Sequence, residues 1–130
     1  MATAILKSYN QSPRKVRLVG NLMKGKKVQD AINALQFLPK RASLPLKKLI
    51  ESAVANSKNA GEKVEDMKVK SVVVESAGMI KRYMPRAFGR ASAIRHRKSR
   101  VIVTLEAGNK KLESRKSVPV SSLQSPVSNV

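Results

Sequence analysis

Residues 67–106 read MKVKSVVVESAGMIKRYMPRAFGRASAIRHRKSRVIVTLE. Each end of this stretch has the composition of a β-strand. From residue 67 to 74 the period is two, with Met67, Val69, Ser71 and Val73 on one face and Lys68, Lys70, Val72 and Val74 on the other. Residues 101–105, VIVTL, form a second β run. Between the two runs lie eight permanently positive side chains, Lys81, Arg82, Arg86, Arg90, Arg95, Arg97, Lys98 and Arg100, and from residue 81 to 100 there is no acid. Antiparallel pairing of the runs turns the segment between them into a hairpin of about residues 75–102. Its turn is expected near residues 86–90, with Gly89 free to take a positive φ. Met84-Pro85 reads as a twist or bulge that blocks extension of the ladder.

Fully extended from Val74 to Phe88, such a hairpin reaches about 45 to 50 Å at roughly 3.3 Å per residue. A body of about 100 residues has a radius of gyration near 13 Å, so the hairpin must protrude as an arm. An isolated two-stranded ribbon is marginal in water, and facing like charges weaken it further. A polyanion would supply the missing stabilisation. Arginine outnumbers lysine in the arm, which suits two-pronged phosphate contacts and stacking on bases. Tyr83 and Phe88 are two of only four aromatic residues in the chain, and they fall where no core can receive them. Stacking on unpaired bases is one reading of both, with packing across the ribbon the alternative for Tyr83 and a protein contact the alternative for Phe88.

Outside the arm the pattern is that of a small mixed body. ATAILKSY at residues 2–9 reads as a short strand. Ser12-Pro13 opens a helix, with Ser12 suited to cap a free N–H and Pro13 to the first helical position, and Gly25 ends it. Its apolar side comprises Val16, Val19 and Met23 with Leu18 and Leu22 alongside, leaving Arg14, Lys15 and Arg17 on the flanks. Val28, Ala31, Ile32, Leu35 and Leu38 define one face of a second helix closed by Pro39. A third, the longest, starts near Ala42 or Ser43 and runs through Leu46, Leu49, Ile50, Ala53, Val54 and Ser57 to Gly61. The fold expected is α+β: three helices packed on a small antiparallel three-stranded sheet, with a long protruding basic β-hairpin. Residues 1–108 form one domain, and residues 109–130, rich in Ser and Lys, read as a flexible basic tail.

The charge balance narrows the function. Lys plus Arg number 27 against 8 acids, giving a net charge of +19. Such an excess opposes compaction and calls for an anionic partner. No run of apolar residues is long enough for a membrane span, and the start MATAILKSYNQS lacks a secretory core, so nucleic acid is expected over membrane. The chain has no cysteine, which removes disulfides, thiolate metal sites and cysteine nucleophiles. An intracellular setting follows.

Three apparent chemical motifs do not stand up. GNLMKGKK at residues 20–27 resembles a phosphate-binding loop, but Lys27 replaces the magnesium-holding Ser or Thr, and the first Gly lies inside a helix rather than after a strand. His96 is the only histidine and has no neighbouring Cys or acid with which to hold a metal. Glu62, Glu65 and Asp66 read as a solvated loop offsetting Lys58, Lys63 and Lys68. No catalytic, cofactor or metal residues are assigned, and no enzyme is expected.

SPRKVRLVGNLMKGKKVQDAINAL (12–35), KKLIESAVANSKNA (47–60) and IKRYMPRAFGRASAIRHRKSRVIVTLE (80–106) closely resemble the universal large-subunit ribosomal protein family numbered twenty-two, in its bacterial form. The likeness spans about residues 3–106. It implies a structural constituent of the large ribosomal subunit, cytoplasmic and of bacterial or organellar type, that binds large-subunit ribosomal RNA and supports assembly. It also implies a hairpin lining the nascent-peptide exit tunnel, where it meets a loop of ribosomal protein number four. On this chain the tunnel-lining positions would be Met84, Pro85, Arg86, Ala87, Phe88, Gly89 and Arg90, close to the nascent peptide, with Lys81 and Arg82 near the macrolide-binding region. Ile80 stands where the family often has Met, and Phe88 where a basic residue is common.

The expected RNA-binding residues are therefore Ser12, Arg14, Lys15 and Arg17 in the first helix, Lys24, Lys26 and Lys27 after it, and Lys81, Arg82, Tyr83, Arg86, Arg90, Arg95, His96, Arg97, Lys98 and Arg100 in the arm. The rival reading is an architectural DNA-binding protein that uses a basic β-arm. Such proteins usually dimerise, whereas the three helical faces here are accounted for by one core, so no obligate homo-oligomer is expected.

Overall fold

The computed structural model describes residues 1–62 and 66–107, and the expected tail lies outside the described residues. In chain order the elements are β1 (Ala2–Tyr9), α1 (Pro13–Met23), α2 (Val28–Phe37), α3 (Ser43–Asn59), β2 (Met67–Pro85), a single 3-10 turn (Ala87–Gly89) and β3 (Ala91–Ala107). The strands form one antiparallel sheet in the order β1-β3-β2. This is the α+β arrangement that the sequence implies.

The inner face of the sheet is built from apolar side chains: Ala2 and Ala4 of β1, Met67, Val69 and Val74 of β2, and Val101, Val103 and Leu105 of β3, all buried. Against it lie Val16, Val19 and Met23 of α1, Val28, Ala31 and Leu35 of α2, and Leu46, Leu49, Ile50 and Ala53 of α3. The helical spacings 3, 4 and 7 thus describe the buried stripes well. Leu18 and Leu22 do not join the stripe of α1. They are 68% and 50% exposed, because about 100° of rotation per residue carries them away from Val16, Val19 and Met23.

The expected cap at Ser12 is also different in form. Its backbone carbonyl accepts from the N–H groups of Lys15 and Val16, while its hydroxyl makes no cap to the helix. Pro13 supplies the fixed φ of the first turn, and that suffices to start the helix without a side-chain acceptor.

β2 is an edge strand, and its outer edge is covered. Arg17 of α1 donates from Nε and Nη2 to the Val74 carbonyl at 3.2 and 3.0 Å. In the turn after α1, Gly25 N–H donates to the Val69 carbonyl at 2.8 Å, and the Val69 N–H donates to the Lys26 carbonyl at 2.9 Å. The lysine-rich turn therefore acts as a short strand that satisfies an exposed sheet edge. Gly20 permits the close approach of α1 to β2: a Cβ there would lie 3.1 Å from Cγ1 of Val72. Gly20→Val is expected to cost about 1 to 3 kcal/mol by overpacking, read from urea denaturation.

Two bulges shape β2. Val69 pairs with Leu105 but Ser71 with Thr104, so one extra residue stands in β2 and the alternation reverses. Val72 and Val74, not Ser71 and Val73, follow Met67 and Val69 onto the inner side; Val73 is 44% exposed. The second shift falls between Ser76, opposite Ser99, and Met79, opposite Arg97, where Gly78 takes φ +91. β1 accompanies β3 only as far as Ser99, so beyond this bulge β2 and β3 continue as a two-stranded ribbon. From Met79 to Phe88 that ribbon is about 30 Å long at roughly 3.3 Å per residue. It is shorter than the sequence estimate because Val74 and Val101 belong to the core.

The bulge expected at Met84-Pro85 is absent. Register is unbroken from Met79 to Pro85, which pairs with Ala91 as the last rung. Arg86 N–H donates to the Arg90 carbonyl at 2.7 Å, so alternation places Pro85 on a non-hydrogen-bonded rung, where its missing N–H costs no ladder bond. The turn holds two successive left-handed residues, Phe88 at φ 57 and Gly89 at φ 68. Glycine takes this conformation freely, whereas Phe88 is strained there by about 1 to 2 kcal/mol.

Candidate nucleic-acid interface

Antiparallel rungs put facing residues on the same side of the ribbon. One side of the arm carries Met79, Lys81 and Tyr83 with their partners Arg97, Arg95 and Ala93; the other carries Ile80, Arg82 and Met84 with His96, Ile94 and Ser92. The first side is mainly cationic and holds the aromatic residue. On the second, Ile80, Met84 and Ile94 form a half-exposed aliphatic strip, 39%, 46% and 39% exposed. In the sequence this strip is masked by the arm's charges and aromatic residues, although the alternation of residues 80, 82 and 84 places Ile80 and Met84 on one side.

Tyr83 faces Ala93 and is 71% exposed, so packing across the ribbon leaves most of its ring accessible. Phe88 at the tip is fully exposed. Arg86 Nε donates to Ser92 Oγ at 3.1 Å, and Arg82 Nη1 donates to the Lys81 carbonyl at 3.3 Å. The ion pairs among the described residues, the N-terminal ammonium with Glu62 at 2.6 Å and Lys70 with Glu106 at 3.3 Å, include no arm cation. Glu62 thus pairs with the chain terminus rather than with Lys58 or Lys68, as the sequence reading had it.

The other expected positions divide. Arg14 and Lys15 are exposed on α1, and Lys24, Lys26 and Lys27 are exposed in the turn over β2. Arg17 is exposed as well, but its guanidinium holds the Val74 carbonyl and so fastens α1 to the sheet. Lys98 is half-buried at the arm's root, beside the fully buried Ser99, whose hydroxyl donates to the Gln11 carbonyl. Arg100 lies across from Glu75 in the body rather than in the arm.

The root of the arm brings together residues that are remote in sequence. An open groove of about 670 Å³ is lined by Ser12 and Lys15 from the start of α1, Arg41 from the α2–α3 connection, and Arg95, His96 and Arg97 from β3. Among the described residues its wall has four permanent cations and no acid. Arg41 was missed by the sequence reading, since only the tertiary fold carries the α2–α3 connection to the arm. It is held there in part by Tyr9, whose hydroxyl donates to the Arg41 carbonyl at 3.3 Å. Burial pushes the Tyr9 phenol above its usual range, while the Arg41 charge pulls it the other way.

Among the described residues no group of three His, Asp or Glu side chains could hold a metal ion, and no helix is long and apolar enough to cross a membrane. The arm and the groove at its root together present a surface rich in cations.

Comparison with known proteins gives the family. Residues 4–106 match the family described as Ribosomal protein L22p/L17e. Among curated relatives, the large ribosomal subunit protein uL22 of Pelobacter propionicus is 45% identical over 105 residues, covering 80% of this chain and 95% of that protein. The uL22 of Herpetosiphon aurantiacus is 43% identical over 108 residues, covering 82% and 96%. That of Deinococcus radiodurans is 44% identical over 109 residues, covering 82% and 81%. Fold, surface and relatives together define a structural, non-enzymatic protein of the large ribosomal subunit. Within that class, the chain belongs to the ribosomal protein L22p/L17e family.

Proposed function

We propose that the chain binds large-subunit ribosomal RNA through its arm, the lysine turn after α1 and the exposed face of α1, and that it supports assembly of the subunit. In this reading the arm passes between RNA segments. Its tip, residues 84–90, borders the nascent-peptide exit tunnel and meets ribosomal protein number four. One observation supports it above the others: a ribbon exposed along its length whose cations have no acid partner among the described residues. Phosphates are the ligands that such a surface lacks.

The two ribbon sides suit different neighbours. The side with Lys81, Arg95, Arg97 and Tyr83 offers charge and an aromatic face to RNA. The aliphatic strip of Ile80, Met84 and Ile94 suits a less charged surface, such as a protein loop or a passing peptide.

Removal of residues 79–97, with the ends joined by a short turn, tests the division of labour. The helical circular dichroism signal should persist and ribosomal RNA should still bind, more weakly, while incorporation into large subunits yields particles with an altered tunnel wall. Tighter binding to duplex DNA than to ribosomal RNA at equal salt would instead favour the architectural DNA reading. Arg14→Gln combined with Lys15→Gln should flatten the log–log salt dependence of RNA binding by about 1.4 to 1.8 units, at roughly 0.7 to 0.9 per phosphate contact. An unchanged slope would show that α1 faces elsewhere. Arg17 is left intact in this test because it also holds β2.

A further inference from the structure

Next to the basic groove at the arm's root lies a second, mainly apolar one of about 350 Å³ between α1 and the α2–α3 connection, lined by Leu18, Val19, Leu22, Leu38 and Ala42 with Lys40 at its side. The two grooves share Gln11, Lys15 and Arg41 as a common wall. Leu18 and Leu22, the two leucines that α1 turns away from the core, stand 68% and 50% exposed beside it. The Gln11 Oε1 atom on the shared wall is shielded from solvent and has no hydrogen-bond partner among the described residues. A shielded acceptor without a donor is costly, so an N–H or O–H from a ligand would be favoured there.

We propose that the two grooves form one site for an unpaired nucleotide of RNA: the phosphate lies among Lys15, Arg41 and Arg97, and the base enters the apolar groove between Leu18, Leu22 and Leu38. This rests on the RNA-binding reading above and adds a recognition element to it. The argument is one of matched chemistry. A nucleotide outside a helix is anionic at one end and flat and weakly polar at the other, and it carries the donors that Gln11 lacks. A paired nucleotide keeps its base within the stack and cannot reach the apolar part. Sequence-selective RNA recognition uses unstacked bases for this reason. A peptide segment without acids would match the apolar groove, but it would leave Lys15, Arg41 and Arg97 without an anion.

The test uses the full chain and two RNA duplexes identical except for one bulged nucleotide, with thiouridine placed in the bulge for photocrosslinking. The chain should bind the bulged RNA at least about fivefold more tightly than the paired one, the lower end of what accommodating one base contributes. Leu22→Ser should bring the ratio of bulged to paired affinity down to about one, because Leu22 meets the base. Arg41→Gln should weaken the bulged complex more than the paired one. Crosslinks should fall on residues 10–22 or 38–42. Equal affinity of the unaltered chain for the two RNAs, a preference that survives Leu22→Ser, or crosslinks confined to the arm would overturn the site while leaving RNA binding intact. Failure to bind either RNA would overturn the RNA-binding reading as well.

Discussion

Replacing Lys81, Arg82, Arg86, Arg90, Arg95, Arg97, Lys98 and Arg100 by glutamine should remove about 5 to 7 units from the log–log salt slope of RNA binding, at roughly 0.7 to 0.9 per phosphate neutralised. A slope of that size means that affinity falls about a thousandfold to ten-thousandfold over a fourfold rise in salt. The substituted chain should lack this sensitivity and keep its helical circular dichroism signal. The reason lies in the ribbon's position: among the described residues, 79–97 contribute nothing to the buried core, and no acid of the body pairs with their cations. Arg100 faces Glu75 across the sheet and is expected to contribute least. Were the slope to fall by only one or two units, the body would be the principal RNA-binding surface and the arm a spacer.

The second large effect concerns stability and falls at the opposite end of the molecule. Ile50 of α3 is fully buried against the sheet, and Ile50→Ala should cost about 2 to 5 kcal/mol in urea denaturation, from lost burial and the cavity left behind. That is a large share of the roughly 5 to 15 kcal/mol typical of a whole domain. Ile94 has the same side chain but lies half-exposed on the arm, and Ile94→Ala should cost less than about 1 kcal/mol. Comparable losses at the two positions would show that arm and body fold as one cooperative unit. The expected contrast assigns stability to α3 and the sheet, and leaves the arm free to conform to its partner.

Much of the body was legible because its helices are amphipathic at regular spacing. Val28, Ala31 and Leu35, or Leu46, Ile50 and Ala53, leave few alternatives to a buried helical face, and the change to period two at Met67 marks the sheet. The bulges were not legible. An extra residue at Lys70 and Ser71 leaves every residue compatible with a strand, and only the partner's register reveals that Val72 and Val74 have changed sides. Pro85 attracted the bulge assignment because it lacks a donor, yet its rung requires none. At the candidate interface, the arm's cations were evident from sequence alone. Arg41 was hidden, because a lone basic residue in a loop has no pattern until the fold sets it beside Lys15 and Arg97. Phe88 was noted as an aromatic without a core, but its left-handed backbone was not foreseen, since Gly89 alone was assigned that role.

The strain at Phe88 and the charge along the ribbon have a common implication. A segment that holds an exposed aromatic residue in an unfavourable conformation, with like charges on facing strands, is poorly supported by its own contacts. In the proposed function, RNA supplies the support that these contacts lack. Backbone hydrogen exchange across residues 79–97, compared with that of α3 in the free chain and in the RNA complex, tests this directly. Arm amides should exchange rapidly in the free chain while those of α3 stay protected, and they should become protected when RNA is bound. Arm amides as protected as those of α3 without RNA would contradict the claim that RNA completes the ribbon.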